Sequence, residues 1–176
     1  MIVRRYHPVL VVLHWLLAFL IIAQLAGGYF VVSRMLNADP AKLGVLKIHM
    51  LIGMAVFLLM LIRFFVRLFT AHPPPSAEQQ QGIGRLRSPV HWLFYMLVLL
   101  MVGSGWYTGY LISDAYATPG ATLPAGLPQL PSRMFHAWTA LVLFLLIVLH
   151  IAAAMREYLT GDRNIFGRMG FGQRRG

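Results

Sequence analysis

The sequence contains no cysteine among its 176 residues. Disulfide frameworks, thiolate chemistry and cysteine-ligated iron–sulfur clusters are therefore excluded. Charged residues are also scarce, at 11% of the chain, whereas soluble domains carry about 25%. Hydrophobic residues make up 59% of the sequence. This composition excludes a soluble globular domain and a disordered chain, and it leaves apolar surface that must face lipid.

Four long apolar runs stand where a soluble protein would have mixed sequence. They cover residues 8–32, 46–69, 89–112 and 134–155, with the last helix expected to continue to about 158. Each run is long enough for a helix rising about 1.5 Å per residue to cross a hydrocarbon core about 30 Å thick. Barrel strands would be shorter and would alternate in twos. The sequence therefore predicts an all-α fold, an up-and-down bundle of four transmembrane helices in a single domain over residues 1–176.

The first run has a second interpretation as a secretory signal, because Arg4 and Arg5 precede it. It is too long for the apolar part of such a signal, and it carries His14 near its start. We therefore interpret it as the first membrane helix.

The distribution of basic residues predicts the orientation. With the N-terminus inside, 11 Lys and Arg lie on the inner side and four on the outer side. The outer four are Arg34, Lys42, Lys47 and Arg133. This asymmetry predicts that both termini are cytoplasmic. The net charge of +10 is then explained by topology and by attraction to lipid headgroups, without a nucleic-acid partner.

Histidines are the candidate functional residues, because ionisable groups inside membrane spans are rare and costly. Five of them fall at two levels: His14, His91 and His150 on the inner side, and His49 and His136 on the outer side. Fourteen residues separate His136 from His150, which is about 1400° of helical rotation and about 21 Å of rise. Both side chains therefore share one face of the last helix. This layout fits two stacked b-type haems, each held by a pair of histidines.

Two other interpretations of the histidines remain open. A single histidine in a membrane helix is more often a hydrogen-bonded packing residue than a ligand, although five at two matched levels fit that interpretation poorly. Zinc normally takes clustered ligands with help from cysteine or carboxylates. The spans have no cysteine, and acidic residues occur only around their ends, at Asp114 and Glu157. Haem ligation is the favoured hypothesis.

The residue four positions after each histidine distinguishes His91 from the rest. A porphyrin beside a helix needs space one turn away from its ligand, and small residues provide that space in four cases. They are Ala18 after His14, Gly53 after His49, Ala140 after His136 and Ala154 after His150. After His91 comes Tyr95. The pattern predicts an inner pair of His14 with His150 and an outer pair of His49 with His136, although small residues also suit ordinary helix packing.

These features together resemble the bacterial cytochrome b561 family, four-helix dihaem membrane proteins related to the cytochrome b subunits of hydrogenases and formate dehydrogenases. The similarity spans nearly the whole chain. It includes Arg5-Tyr6, His14-Trp15, Lys47-Ile48-His49 with Gly53, the pair Arg63 and Arg67, His91-Trp92, Phe135-His136, His150, Asp162-Arg163-Asn164 and Arg168-Met169. The resemblance implies the bacterial inner membrane, quinone reaction near the cytoplasmic haem, and two haem b groups. Their implied ligands are His14, His49, His136 and His150.

The resemblance also implies an activity. Iron with two histidine ligands has no open position for O₂, which favours electron transfer. Family members of this size resemble stand-alone enzymes that oxidise superoxide at the periplasmic face and reduce ubiquinone, so a superoxide:quinone oxidoreductase is expected. One alternative is an anchor subunit that passes electrons between a dehydrogenase or hydrogenase partner and quinone. Another is a protein without redox function whose histidines only pack.

Three further residues receive expected roles. His91, at the inner level and outside the predicted pairs, is expected to bind quinone and to donate a proton or hydrogen bond to a carbonyl. Lys47 and Arg133 lie two and three residues before the outer histidines, and they are expected to attract the superoxide anion. The alternatives are contact with lipid headgroups for His91 and anchoring of helix ends for the two cations.

Overall fold

The computed structural model describes residues 6–70, 87–118 and 120–160, and all regular secondary structure in these ranges is helical. The elements are α1 (Pro8–Gly27) with a π-helical continuation (Gly28–Val32), α2 (Ala41–Phe69), α3 (Arg87–Leu111), the short α4 (Ser113–Ala117), a 3₁₀ turn (Leu127–Gln129) and α5 (Pro131–Thr160). The predicted all-α class is confirmed.

Four of the helices are long and apolar enough to cross a membrane. The spans are Pro8–Val32, Ala41–Phe69, Pro89–Leu111 and Pro131–Leu159. Their large side chains mostly face outward, and Phe19 and Leu51 are 70% and 71% exposed. Exposing apolar surface to water costs about 25 cal/mol per Å², whereas lipid removes this cost. The predicted bundle of four transmembrane helices is confirmed.

Two helices begin earlier than the apolar runs predicted. α2 begins at Ala41, directly after Pro40, and α5 begins at Pro131. Proline suits the first turn of a helix, because its φ is fixed near the helical value and its missing N–H would have no partner there. The apolar runs begin later than the helices because the first turns of α2 and α5 carry the charged residues Lys42 and Arg133.

The predicted orientation depends largely on residues outside the described ranges. They are Arg4, Arg5, Arg85, Arg163, Arg168, Arg174 and Arg175. The cytoplasmic location of both termini therefore stays a prediction.

The helices pack chiefly as two pairs, α1 with α2 and α3 with α5. A central layer of buried side chains joins both pairs, and every long helix contributes to it. Its members are Leu17, Val56, Leu97, Val98 and Leu143. This layer separates the two levels at which the histidines lie.

A buried lysine closes the bundle at the end where α2 and α5 begin. Lys42 is only 7% exposed, and its Nζ donates to the Met35 carbonyl and to Asn37 Oδ1, both at 2.8 Å. Asn37 Nδ2 donates to the Pro124 carbonyl at 3.1 Å, and the Leu123 amide donates to the Asn37 carbonyl at 3.0 Å. Asn37 therefore ties the segment before α2 to the loop before α5, and Lys42 holds Asn37 in place.

Candidate functional site

The histidine rings lie close together at two levels of the bundle. The ring centroids of His14 and His150 are 6.4 Å apart, and those of His49 and His136 are 6.3 Å apart. His14 lies near the start of α1 and His150 near the end of α5, so these helices are antiparallel. His49 and His136 both lie near helix starts, so α2 runs parallel to α5. The first pair therefore lies near the end that carries both termini, the terminal end, and the second lies near the loop end.

Both separations suit a single metal ion between two imidazoles. A metal–imidazole bond is about 2.0 Å long, and a ring centroid lies about 1.2 Å from a ring nitrogen, given C–N bonds of about 1.3 Å. Two imidazoles on opposite sides of one iron therefore have centroids about 6.3 Å apart. The described residues contain no group of three or more His, Asp or Glu placed to hold a metal on protein ligands. Two histidines suffice where a porphyrin supplies the other four ligands.

His91 joins the pair at the terminal end, since its ring centroid is 6.1 Å from that of His150. Ring separation alone does not choose between His14 and His91 as the partner of His150. The space beside each ring differs, because Ala18 follows His14 by one turn and Tyr95 follows His91. The Tyr95 ring packs against Phe64 at 5.6 Å. Ligation by His14 stays the prediction.

The loop-end pair opens into a cavity of about 470 Å³, lined largely by apolar residues. This volume lies within the range of about 300–1,000 Å³ that is typical of cofactor and ligand sites. The polar side chains of the lining are few: Gln24, Lys47, His49, Tyr116 and His136. The cavity can hold a large apolar group that presents few polar atoms.

Hydrogen bonding fixes the ring of His136. Its Nδ1 lies 2.9 Å from the Met101 carbonyl and 3.3 Å from Ser104 Oγ. A carbonyl only accepts, so Nδ1 carries the proton and Nε2 keeps a lone pair for a metal. Gly105 makes this position possible, because a Cβ on it would lie 3.1 Å from His136 Cε1.

His49 is seated in a similar way by the end of α1. A Cβ on Gly28 would lie 3.4 Å from His49 Cε1, and Gly28 begins the π-helical segment. Gln24 Nε2 donates to the His49 carbonyl at 2.6 Å. Such π segments occur frequently at functional sites.

The sequence analysis missed the residues that seat the two loop-end rings. Glycine inside a helix costs about 1 kcal/mol relative to alanine and therefore needs a structural reason. Gly28 and Gly105 lie inside apolar runs, and their positions could have indicated close contacts with another helix.

Lys47 and Arg133 lie at the loop end, near the pair of His49 and His136. Lys47 lines the cavity, and its Nζ lies 5.4 Å from the Tyr116 ring centroid. The Tyr116 hydroxyl donates to Met50 Sδ at 3.2 Å, and burial raises its pKa, so it stays protonated at neutral pH. Arg133 is close enough to act electrostatically on both histidines.

One family model matches nearly the whole chain. The model, described as prokaryotic cytochrome b561, matches residues 5–172. The chain belongs to this family. Comparisons with curated proteins and with solved structures found no match. As a prokaryotic cytochrome b561, the protein is a multi-pass membrane protein that binds b-type haem and transfers electrons, as the resemblance implied.

Replacing single histidines tests which residues of the cytochrome hold haem. We expect alanine at His14, His49, His136 or His150 to lower the haem content from about two to about one per chain, because one of the two axial ligands is lost. The pyridine haemochrome assay on purified protein measures this ratio. His91→Ala is the matched control and keeps both haems. Loss of haem in His91→Ala with normal haem in His14→Ala would overturn the pairing.

Two glycines of α3 provide a matched test of the seat of His136. Gly105→Val places a branched side chain against the His136 ring, whereas a Cβ on Gly103 has no atom within 4 Å. We expect Gly105→Val to lower haem content toward one per chain, and Gly103→Val to leave it unchanged, because overpacking displaces the ligand. Equal haem content in the two variants would contradict the proposed seat.

Proposed function

We propose that this cytochrome carries electrons across the membrane from superoxide at the loop end to ubiquinone at the terminal end. Two haem b groups form the path, one between His49 and His136 and the other between His14 and His150. The observation that supports this proposal is the pairing of these histidines, at separations of 6.3 and 6.4 Å, on opposite sides of a central apolar layer.

The spacing along α5 supports transfer from one membrane face to the other. Fourteen residues separate His136 from His150, or about 21 Å of helix, in a hydrocarbon core about 30 Å thick. Leu143 lies midway and is buried. Each pair is therefore closer to its own membrane surface than to the far surface, and apolar side chains keep water out of the region between them.

The protein residues hold and orient the haems, whereas bound haem supplies reversible one-electron chemistry at iron. The Met101 carbonyl fixes the proton of His136 on Nδ1, so Nε2 would be free to bind the haem iron and would be a more basic ligand. Two histidine ligands leave no position for O₂ on the iron. Electron transfer is then favoured over oxygen activation.

The charges at the loop end suit a small anionic donor. Four cations and two carboxylates give this end a balance of +2: Arg34, Lys42, Lys47 and Arg133 against Asp39 and Asp114. Lys42 is buried in its contacts with the loops, whereas Lys47 lines the cavity beside His49. Positive charge at the mouth of an apolar cavity draws anions toward it.

The overall reaction balances with two superoxide anions for each quinone. Each superoxide loses one electron and leaves as O₂, and ubiquinone takes up the two electrons and two protons to become ubiquinol. The protons enter from the terminal end. We expect that end to face the cytoplasm, because the basic residues of the sequence are concentrated there, and we expect the protein to lie in the bacterial inner membrane.

His91 is the residue for proton delivery to quinone. It lies at the terminal end, and its ring is 6.1 Å from that of His150. A quinone bound beside it is close to the second haem and can accept a proton or hydrogen bond at a carbonyl.

Stopped-flow reduction by superoxide tests the donor. We expect superoxide to reduce the oxidised haems rapidly, and we expect the rate to fall as salt screens the attraction between superoxide and the cations of the loop end. We expect Lys47→Glu to slow reduction by about tenfold at low salt, and Arg133→Glu also to slow it. Arg34→Glu, with the same change in charge beside Tyr29, slows it less. Absence of reduction at any ionic strength would reject the superoxide enzyme and favour the alternative, an anchor subunit that copurifies with a dehydrogenase or hydrogenase.

Replacing His91 tests the quinone site separately. We expect His91→Ala to retain both haems and normal reduction by superoxide, while reoxidation of the haems by a soluble ubiquinone analogue slows by about 10²-fold, as is typical when a general acid is lost. The ratio of the two rates isolates the quinone step. An unchanged reoxidation rate in a variant with full haem content would exclude this role.

A further inference from the structure

Arg63 is a buried cation inside a membrane span. It is 8% exposed, and its Nη1 donates to the Leu10 carbonyl at 2.6 Å. Burying a charge costs several kcal/mol unless an opposite charge compensates it. The groups that act electrostatically on Arg63 include Tyr95 and Arg67, and Arg63 in turn acts on His14. None of these groups is an anion, so within the described part of the chain the hydrogen bond to a neutral carbonyl leaves the charge uncompensated.

A second polar group, the Tyr95 hydroxyl, lies beside Arg63. It is buried within hydrogen-bonding reach of the guanidinium, but it makes no well-formed hydrogen bond with the residues that the structure describes. Its ring is held in place by Phe64 and Trp92, at 5.6 and 6.2 Å. A guanidinium and a phenol hydroxyl thus provide two adjacent donors in an apolar region.

The position of these donors relates them to the histidine pair of the terminal end. Leu10 precedes His14 by four residues in α1, which is about one turn, or 6 Å of rise. The Arg63 guanidinium therefore lies within about one turn of His14. A ligand between His14 and His150 that carries an anionic group toward the membrane surface reaches this position.

We propose that Arg63, assisted by the Tyr95 hydroxyl, binds a propionate carboxylate of the haem held by His14 and His150. This proposal rests on the proposed function, because it assumes haem between these two histidines. A carboxylate supplies the charge that Arg63 lacks, and the charge-assisted hydrogen bonds are strong in a region without water. A quinone carbonyl is neutral and leaves the charge uncompensated. A lipid phosphate is the other anion available, and the vesicle experiment below distinguishes it from a propionate.

The pairing has a consequence for the reduction potential of the terminal-end haem. A buried positive charge near the iron disfavours the ferric state, which carries one more positive charge than the ferrous state. Removal of the Arg63 charge therefore lowers the midpoint potential of this haem and leaves that of the loop-end haem unchanged.

Redox titration and resonance Raman spectroscopy of the purified cytochrome with both haems bound test the proposal. We expect Arg63→Met to lower the reduction equilibrium constant of the terminal-end haem at least tenfold, which is 59 mV for one electron. We expect the propionate bending band of this haem to shift in the same variant. Arg63→Lys restores most of the potential, since it keeps the charge. Arg67 is a half-buried cation one turn further along α2. Arg67→Met is therefore the matched control, and we expect it to change the midpoint potential less.

If Arg63→Met fails to bind the haem, Tyr95→Phe still tests the proposal. It removes only one hydroxyl, so we expect it to shift the propionate band and leave the midpoint potential unchanged. A propionate band that is unchanged in both Arg63→Lys and Tyr95→Phe would then overturn the proposal. Slower ubiquinone reduction in Arg63→Met with potential and band unchanged would assign Arg63 to quinone. A band shift that depends on anionic lipid in reconstituted vesicles would assign it to a headgroup. Each of these outcomes overturns the propionate contact and leaves the two-haem function standing.

Discussion

The distance between facing imidazoles is the constraint on which the rest of the structure depends. Two histidines on different helices must stand about 6.3 Å apart to share one iron, and the bundle achieves 6.4 and 6.3 Å at its two levels. α5 provides one member of each pair, so its partners on α1 and α2 must approach it from across the bundle. Glycines on neighbouring helices leave room for two of these rings, with Gly28 against His49 and Gly105 against His136.

The membrane determines where charge can lie in such a protein. Between the two levels the core is made of aliphatic side chains such as Leu17, Val56 and Leu143, which suits a region without water. Cations occur at the edges of this core, and three of them have partners of different kinds. Lys42 binds loop oxygens, Lys47 lies over the Tyr116 ring, and Arg63 binds a carbonyl beside the terminal-end histidines. These cations therefore have different structural roles, although each of them is counted alike when basic residues are used to predict the orientation in the membrane.

Much of the fold and of the candidate site could be predicted because both follow from simple periodicities. The lengths of the apolar runs predict four spans, and the interval from His136 to His150 predicts one shared face of α5. The first turns of α2 and α5 were missed because Lys42 and Arg133 interrupt the apolar pattern. The burial of Arg63 and the contact of Gly105 with His136 depend on how each helix is rotated against its neighbours, and no local pattern contains that information.

The most direct measurement is the number and spin state of the haems in the purified wild-type cytochrome. The pyridine haemochrome assay gives haem per chain, and low-temperature electron paramagnetic resonance of the oxidised protein gives the ligation of each iron. Two histidine pairs predict two haem b groups per chain, both showing only low-spin ferric signals. A single haem per chain, or a high-spin ferric signal from an iron with an open position, would contradict the two paired sites.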